Sequence, residues 1–222
     1  MMKKNKLFLA LLVLCAVNFA AHLCLYPSLP DSVPTHWGAS GQANGWGPKY
    51  MVLIMAAAPA LMLVLAALLP RIDPKYQNYE KFRGVWNGFI TAITVLMAAM
   101  GWFSELSAFG LIPEDSNLVG LLVCGGCGLF FIFLGNYMPR IRQNYMFGCK
   151  TPWALNDEHN WNRTQRMGGI VFVLIGIALI ALSLLGPVLG DMLTMVFLLA
   201  AIFGGCIWIY IYSYLVYVGK LK

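Results

Sequence analysis

Six stretches of this chain, each at least 20 residues long, contain no Asp, Glu, Lys or Arg, and they constrain its fold more than any other feature. They cover residues 7–26, 50–69, 85–104, 118–138, 167–186 and 192–218. A helix of roughly 20 apolar residues crosses the ~30 Å hydrocarbon core of a bilayer. No water reaches the backbone amides there, so a helix is the form that satisfies them within a single segment. Composition points the same way. The chain is 60% hydrophobic and 11% charged, whereas soluble domains carry about 25% charged residues. The expected fold is an all-α integral membrane protein, a bundle of six transmembrane helices in the lipid bilayer. Pro59 in the second run predicts a kink that neighbouring helices accommodate. The last run is longer than a bilayer requires, so its tyrosine-rich end should project into the interface.

Charge placement predicts the direction of insertion. Lys3, Lys4, Lys6, Arg71, Lys75, Lys81, Arg83, Arg140, Arg142, Lys150, Arg163, Arg166, Lys220 and Lys222 fall on one side of the six-span map. Only Lys49 of the 15 basic residues falls on the other. Basic residues accumulate on the cytoplasmic side, so both termini are expected in the cytoplasm of a multi-pass protein of the cell membrane. The net charge of +6 then reads as topology, not as nucleic-acid binding. The first run follows a basic start like that of a signal peptide. No Ala-x-Ala pair precedes Tyr26, however, which predicts an uncleaved anchor.

Two connections are unusual. The external one, residues 27–49, is rich in Pro, Gly, Ser and Trp; the internal one, residues 139–166, is basic and aromatic. A smaller internal loop, 70–84, contains Pro70-Arg71-Ile72 and Gln77-Asn78-Tyr79, an order repeated as Pro139-Arg140-Ile141 and Gln143-Asn144-Tyr145. A duplicated hairpin and two similar membrane exits both account for it. Asn156 is the expected N-cap of a helix starting at Asp157 and Glu158. Thr151-Pro152-Trp153 predicts extended backbone with an indole near the headgroups.

Chemistry-bearing clusters are scarce. His22, Cys24, Asp31 and His36 match no zinc spacing, and His159 lies on the other side of the map. Cys124 and Cys127 have C-x-x-C spacing, but they sit inside the fourth run, where a thiolate is costly. Gly120, Cys124 and Gly128 form a small-residue stripe for helix packing, a device that Ala200 and Gly204 repeat. Glu105 reads as a solvated acid at a span boundary. No nucleophile–base pair, metal cluster or cofactor motif is recognisable, so the chain is not expected to be an enzyme or to need a metal.

The two unusual loops carry a resemblance. Leu29-Pro30, Val33-Pro34-Thr35-His36-Trp37, residues 41–49, Asp73-Pro74 and Asn78-Tyr79 resemble the small amino-terminal domain that often precedes the SdpI region. Gly135-Asn136, Asn144, Gly148, Thr151-Pro152-Trp153, Trp161, Thr164 and Gly168-Gly169 resemble the SdpI family of bacterial membrane immunity proteins itself. The implied organisation is an amino-terminal membrane domain, residues 1–84, and an SdpI-like domain, 85–222. The implied function is immunity to a secreted antimicrobial peptide toxin, with a second role in which a cytoplasmic helix-turn-helix repressor is held at the membrane.

On that reading Pro30, Asp31, Pro34, His36, Trp37, Trp46 and Lys49 are candidates for toxin contact, although the same loop also suits a cap over the helix ends. Asn144, Lys150, Thr151, Pro152, Trp153, Trp161, Arg163, Thr164 and Arg166 are candidates for docking the cytoplasmic partner; a connection that braces the bundle is the other reading. Two positions depart from similar sequences. Lys150 stands where arginine is usual and Gln165 where histidine is common. Lysine lacks arginine's bidentate fork and glutamine cannot titrate, so neither function can be carried over at these positions. A transporter or efflux component is the alternative class.

Overall fold

The computed structural model describes residues 6–38, 41–113 and 116–221. Lys3, Lys4 and Lys222, used above for orientation, lie outside the described residues. Among the described residues the regular structure is helical except for one small hairpin, and the longest irregular stretch is the loop of residues 141–151. Helix α1 spans Lys6–Leu25, and a short 3-10 turn follows at Tyr26–Ser28. Strands β1 (Ser32–Trp37) and β2 (Ala43–Pro48) then pair antiparallel. Next come α2 (Tyr50–Ile72), the short α3 (Asn78–Lys81), α4 (Arg83–Gly101) and α5 (Phe103–Ala108). Helices α6 (Leu118–Tyr137), α7 (Pro152–Asn156) and α8 (Glu158–Tyr217) complete the chain.

Five described helical segments are long and apolar enough to cross a membrane, the last being 60 residues. That last segment, α8, doubles back. Gly190 has φ 77° and ψ 167°, a conformation open essentially to glycine, and Pro187 lies one turn before it. The two arms run antiparallel: the Asn160 side-chain amide donates to the Ser213 carbonyl at 2.9 Å, and the Trp208 indole donates to Met167 Sδ at 3.3 Å. Pro59 is carried inside a continuous α2.

Helices α1, α2 and α4 pack together, α6 packs most extensively on α8, and α4 joins the two groups. One core cluster, from Leu11 and Leu63 through Trp86 to Leu134 and Trp161, runs across the join. Large apolar side chains such as Leu9, Leu61, Leu129, Ile170 and Phe203 face outward, as a lipid solvent allows.

Glycines set how closely α6 meets α8. A Cβ on Gly128 would lie 2.7 Å from the Gly176 carbonyl oxygen, and one on Gly135 would lie 2.6 Å from that of Gly169. The contacting stripe is therefore Gly128 with Gly135, a seven-residue step matched by Gly169 and Gly176. In the second arm of α8 the expected Gly204 has open space, while Gly205 packs on Val171 and Ile175. The six cysteines are all free thiols.

Candidate functional site

Two clusters stand at opposite ends of the bundle. At one end the hairpin folds over the helix ends. Leu29, Val33 and Val52 are buried together and pin it down, with Tyr26 and Ala108 against them. The register pairs Pro34 with Trp46 and Trp37 with Ala43, with irregularities on both sides of His36. A β-hairpin here departs from the all-helical expectation. The Pro- and Gly-rich composition of this connection suits a short, bulged ribbon.

Between the hairpin and the end of α5 lies a groove of about 280 Å³, lined by Pro34, Trp37, Gln42, Trp46, Ser107 and Ile112 among others. Trp46 is 61% exposed, an unusual state for a large indole outside lipid. The groove gathers three of the seven toxin-contact candidates, Pro34, Trp37 and Trp46. Pro30 and Asp31 are exposed elsewhere. Lys49 pairs with Asp31 at 3.1 Å and lies over the Tyr26 ring. His36 Nδ1–H donates to Asn44 Oδ1 at 2.5 Å. Ser107, Ile112 and Pro113 escaped the sequence reading because they come from α5 and the loop after it, far along the chain from the hairpin.

Two residues before the groove residue Ser107, on the same short helix, Glu105 joins a buried polar knot. His22 Nδ1 is paired with Glu105 Oε1, and both side chains are fully buried. The His22 ring stacks on Trp102 at 4.1 Å, and the Trp102 indole donates to Asn18 Oδ1 at 3.0 Å. Glu105 is thus not a solvated boundary acid. The turn at Trp102 between α4 and α5 points it back at α1. Its partner is 83 residues away, so no local signal announced the pair.

At the opposite, basic end, the two similar loops interlock. Asp73, almost fully buried, accepts from the Tyr79 hydroxyl at 3.1 Å and from the Tyr145 amide at 2.9 Å. Burial, reinforced by Asp73, pushes the Tyr79 phenol well above its ordinary range, so it stays a donor. Lys75 bonds Gln143 Oε1, and the Asn78 side chain donates to the Gln143 carbonyl at 2.7 Å. Asn144 organises its own loop, accepting from the Met146 and Phe147 amides and donating to the Arg142 and Phe147 carbonyls.

The partner candidates divide by burial. Asn144, Thr151, Trp161 and Thr164 lie inside. Thr151 caps α7 by accepting from the Ala154 amide at 3.1 Å, and its hydroxyl also bonds that of Ser213 at 2.5 Å. Ser213 and Thr164 both donate to Asn160 Oδ1. Trp161 is completely buried and donates to the Ile141 carbonyl at 2.8 Å. These four therefore hold the loop in shape and present no surface to another molecule.

Lys150, Pro152 and Arg166 are exposed, and Trp153 and Arg163 are partly so. Trp153 packs on Tyr210 and Tyr214, which gives the tyrosine-rich end of α8 a protein partner. Extended backbone is confined to Thr151; Pro152 then occupies the first turn of α7. The N-cap of α8 is Asp157, whose carboxylate accepts from the His159 and Asn160 amides, whereas Asn156 ends α7. The capping residue must have extended dihedrals, and Asp157 has φ −135° and ψ 127°.

Gln165 has a specific use. It accepts from the Cys149 amide at 3.1 Å and donates to the Cys149 carbonyl at 2.9 Å, clasping the loop next to Gly148, which has φ 108°. A neutral imidazole offers one donor and one acceptor too, but on a rigid ring. Burial pushes the Cys149 thiol up to about 12, leaving it protonated and inert. Among the described residues, no group of three His, Cys, Asp or Glu side chains is placed to hold a metal.

Apolar helices, a lipid-facing exterior and polar knots confined to the two ends define a multi-pass membrane protein. Comparison with known proteins places it further. Residues 140–213 match the SdpI/YfhL protein family and residues 13–63 match a domain of unknown function, DUF1648. The two matched segments follow one another along the chain, the DUF1648-like one first. It is 27% identical over 184 residues to the immunity protein SdpI of Bacillus subtilis (strain 168), covering 82% of each chain. It is also 32% identical over 72 residues to an uncharacterized protein of Archaeoglobus fulgidus, covering 31% of this chain and 39% of that one. No solved structure matches significantly.

Proposed function

We propose that the protein is a membrane immunity protein that protects a bacterial cell from a secreted antimicrobial peptide toxin. In this reading its chain crosses the cell membrane six times, with both termini in the cytoplasm and the hairpin outside. The observation that carries it is the likeness to the immunity protein SdpI over 82% of both chains. The division into regions 1–84 and 85–222 goes with it, since the two matched segments fall on either side. The aromatic groove of Pro34, Trp37 and Trp46 is the surface suited to an apolar peptide arriving from outside.

The direct test is survival of a sensitive host expressing the protein under toxin challenge. Trp46→Ala should weaken protection most, at a cost of about 1–3 kcal/mol if the indole is a hot spot, with membrane levels unchanged because Trp46 is mostly exposed. Protection equal to wild type in Trp46→Ala and Trp37→Ala would remove the groove from the mechanism. Survival that depends on energised efflux would favour the transport alternative. The His22–Glu105 pair does not itself argue for transport: it lies within a turn of the ends of α1 and α5, not midway through the bundle.

Topology has its own test. In a cysteine-free background, Gln42→Cys should react with an impermeant thiol reagent in intact cells, and His159→Cys only after lysis. Both positions are exposed. Labelling of position 159 but not 42 would invert the map.

A signalling role toward a helix-turn-helix repressor has a narrower supporting surface. It consists of Lys150, Pro152, Trp153, Arg163 and Arg166, the candidates with any exposure.

A further inference from the structure

The basic end holds a second cavity, of about 280 Å³, in the crease between the end of α6 and the start of α8. Its floor is the close approach of Gly135 and Gly169, where the absence of side chains leaves room beside the helices. Its walls combine two chemistries. Asn136 and Arg166 supply the polar groups at the rim, beside Pro139, and Ile170, Val173 and Leu174 continue along α8 into the apolar zone. Arg166, Ile170, Val173 and Leu174 follow one another at helical spacings, so the guanidinium sits at the head of an apolar stripe.

Ile170 is 57% and Leu174 59% exposed, so the stripe opens toward lipid. Arg166 is exposed, immediately before the charge-free run that begins at residue 167, at the level of the headgroups. Among the described residues no carboxylate pairs with it, and Arg140 follows the rim residue Pro139 in the chain. A planar guanidinium presents parallel donors that match two phosphate oxygens.

We propose that this crease is a binding site for one anionic phospholipid of the adjoining leaflet, with its phosphate on Arg166 and an acyl chain along Ile170, Val173 and Leu174. Charge complementarity selects an anionic lipid over a zwitterionic one, and the apolar stripe distinguishes a lipid from a free anion. The site is separate from the groove under the hairpin and does not depend on the direction of insertion.

The test uses the full chain, purified in mild detergent and stripped of lipid. Its unfolding midpoint is followed while dioctanoyl phosphatidylglycerol, dioctanoyl phosphatidylcholine or inorganic phosphate is added. Phosphatidylglycerol should give a saturable rise, with phosphatidylcholine and phosphate much weaker. Arg166→Gln should raise the half-saturating concentration roughly five- to tenfold, while Arg142→Gln, an exposed charge outside the crease, should leave it unchanged. Leu174→Ser keeps the charge and should also weaken binding, which guards against a poorly folded Arg166→Gln. Equal titrations for wild type, Arg166→Gln and Leu174→Ser would overturn the site. So would equal responses to the two lipids, and a phosphate response matching the lipid would reduce it to an anion site.

Discussion

Glu105→Leu should lose most of its folded, membrane-inserted protein, and so should His22→Ala. Each substitution strands the other member of a fully buried pair. Breaking such a pair costs about 3–5 kcal/mol, because a buried polar or charged group keeps its desolvation penalty and loses its partner. The Trp102 stack and its bond to Asn18 would be disturbed in the same step. Replacing both partners by apolar residues removes the penalty along with the attraction. The double variant His22→Phe with Glu105→Leu is therefore expected to recover most of the thermal stability that either single change loses. Unfolding midpoints in detergent, with membrane levels alongside, decide the point. Single variants that unfold with wild type would show that the two side chains are not coupled. Toxin survival of the double variant adds a second answer. If stability returns and protection does not, the pair serves the groove at the end of α5 as well as the fold.

The second large effect is expected at the glycine crossing. Gly135→Leu or Gly128→Leu should abolish a monodisperse folded species, since each new Cβ already lies under 3 Å from a backbone carbonyl of α8. Backbone cannot swing aside as a side-chain tip can, so the helices must separate along the most extensive helix interface among the described residues. Gly125→Leu and Gly204→Leu are the controls, because nothing lies within 4 Å of a Cβ at either position. Size-exclusion profiles of tagged protein in detergent should separate the two pairs of variants cleanly. Wild-type profiles for Gly128→Leu and Gly135→Leu together would mean that α6 and α8 do not pack as described.

Much of the site was legible in residue types, though not in their roles. Trp37 and Trp46 were identifiable as aromatic anchors from a Pro- and Gly-rich loop. That they share a groove with Ser107 and Ile112 follows only from the hairpin lying on α5. Trp161 and Asn144 were equally conspicuous in the basic loop, yet both are buried and hold that loop in shape. A tryptophan that anchors a partner and one that fills a core look the same in sequence. What separates them is the neighbour at the indole N–H, here the Ile141 carbonyl.

That this chain lives in a membrane, and where its long charge-free runs fall, could be read from residue types alone. Hydropathy is summed residue by residue against a slab of nearly constant thickness, so six charge-free runs suffice without knowledge of any contact. Tertiary structure alone decided the hairpin's position, the interlocking of the two basic loops, the meeting of Gly135 with Gly169, and the pairing of His22 with Glu105. Each of these is a relation between distant residues, and its energy exists only after helices have packed. Lipid rewards an apolar surface wherever it faces, but a buried carboxylate or a bare glycine finds its counterpart only when another helix is brought alongside.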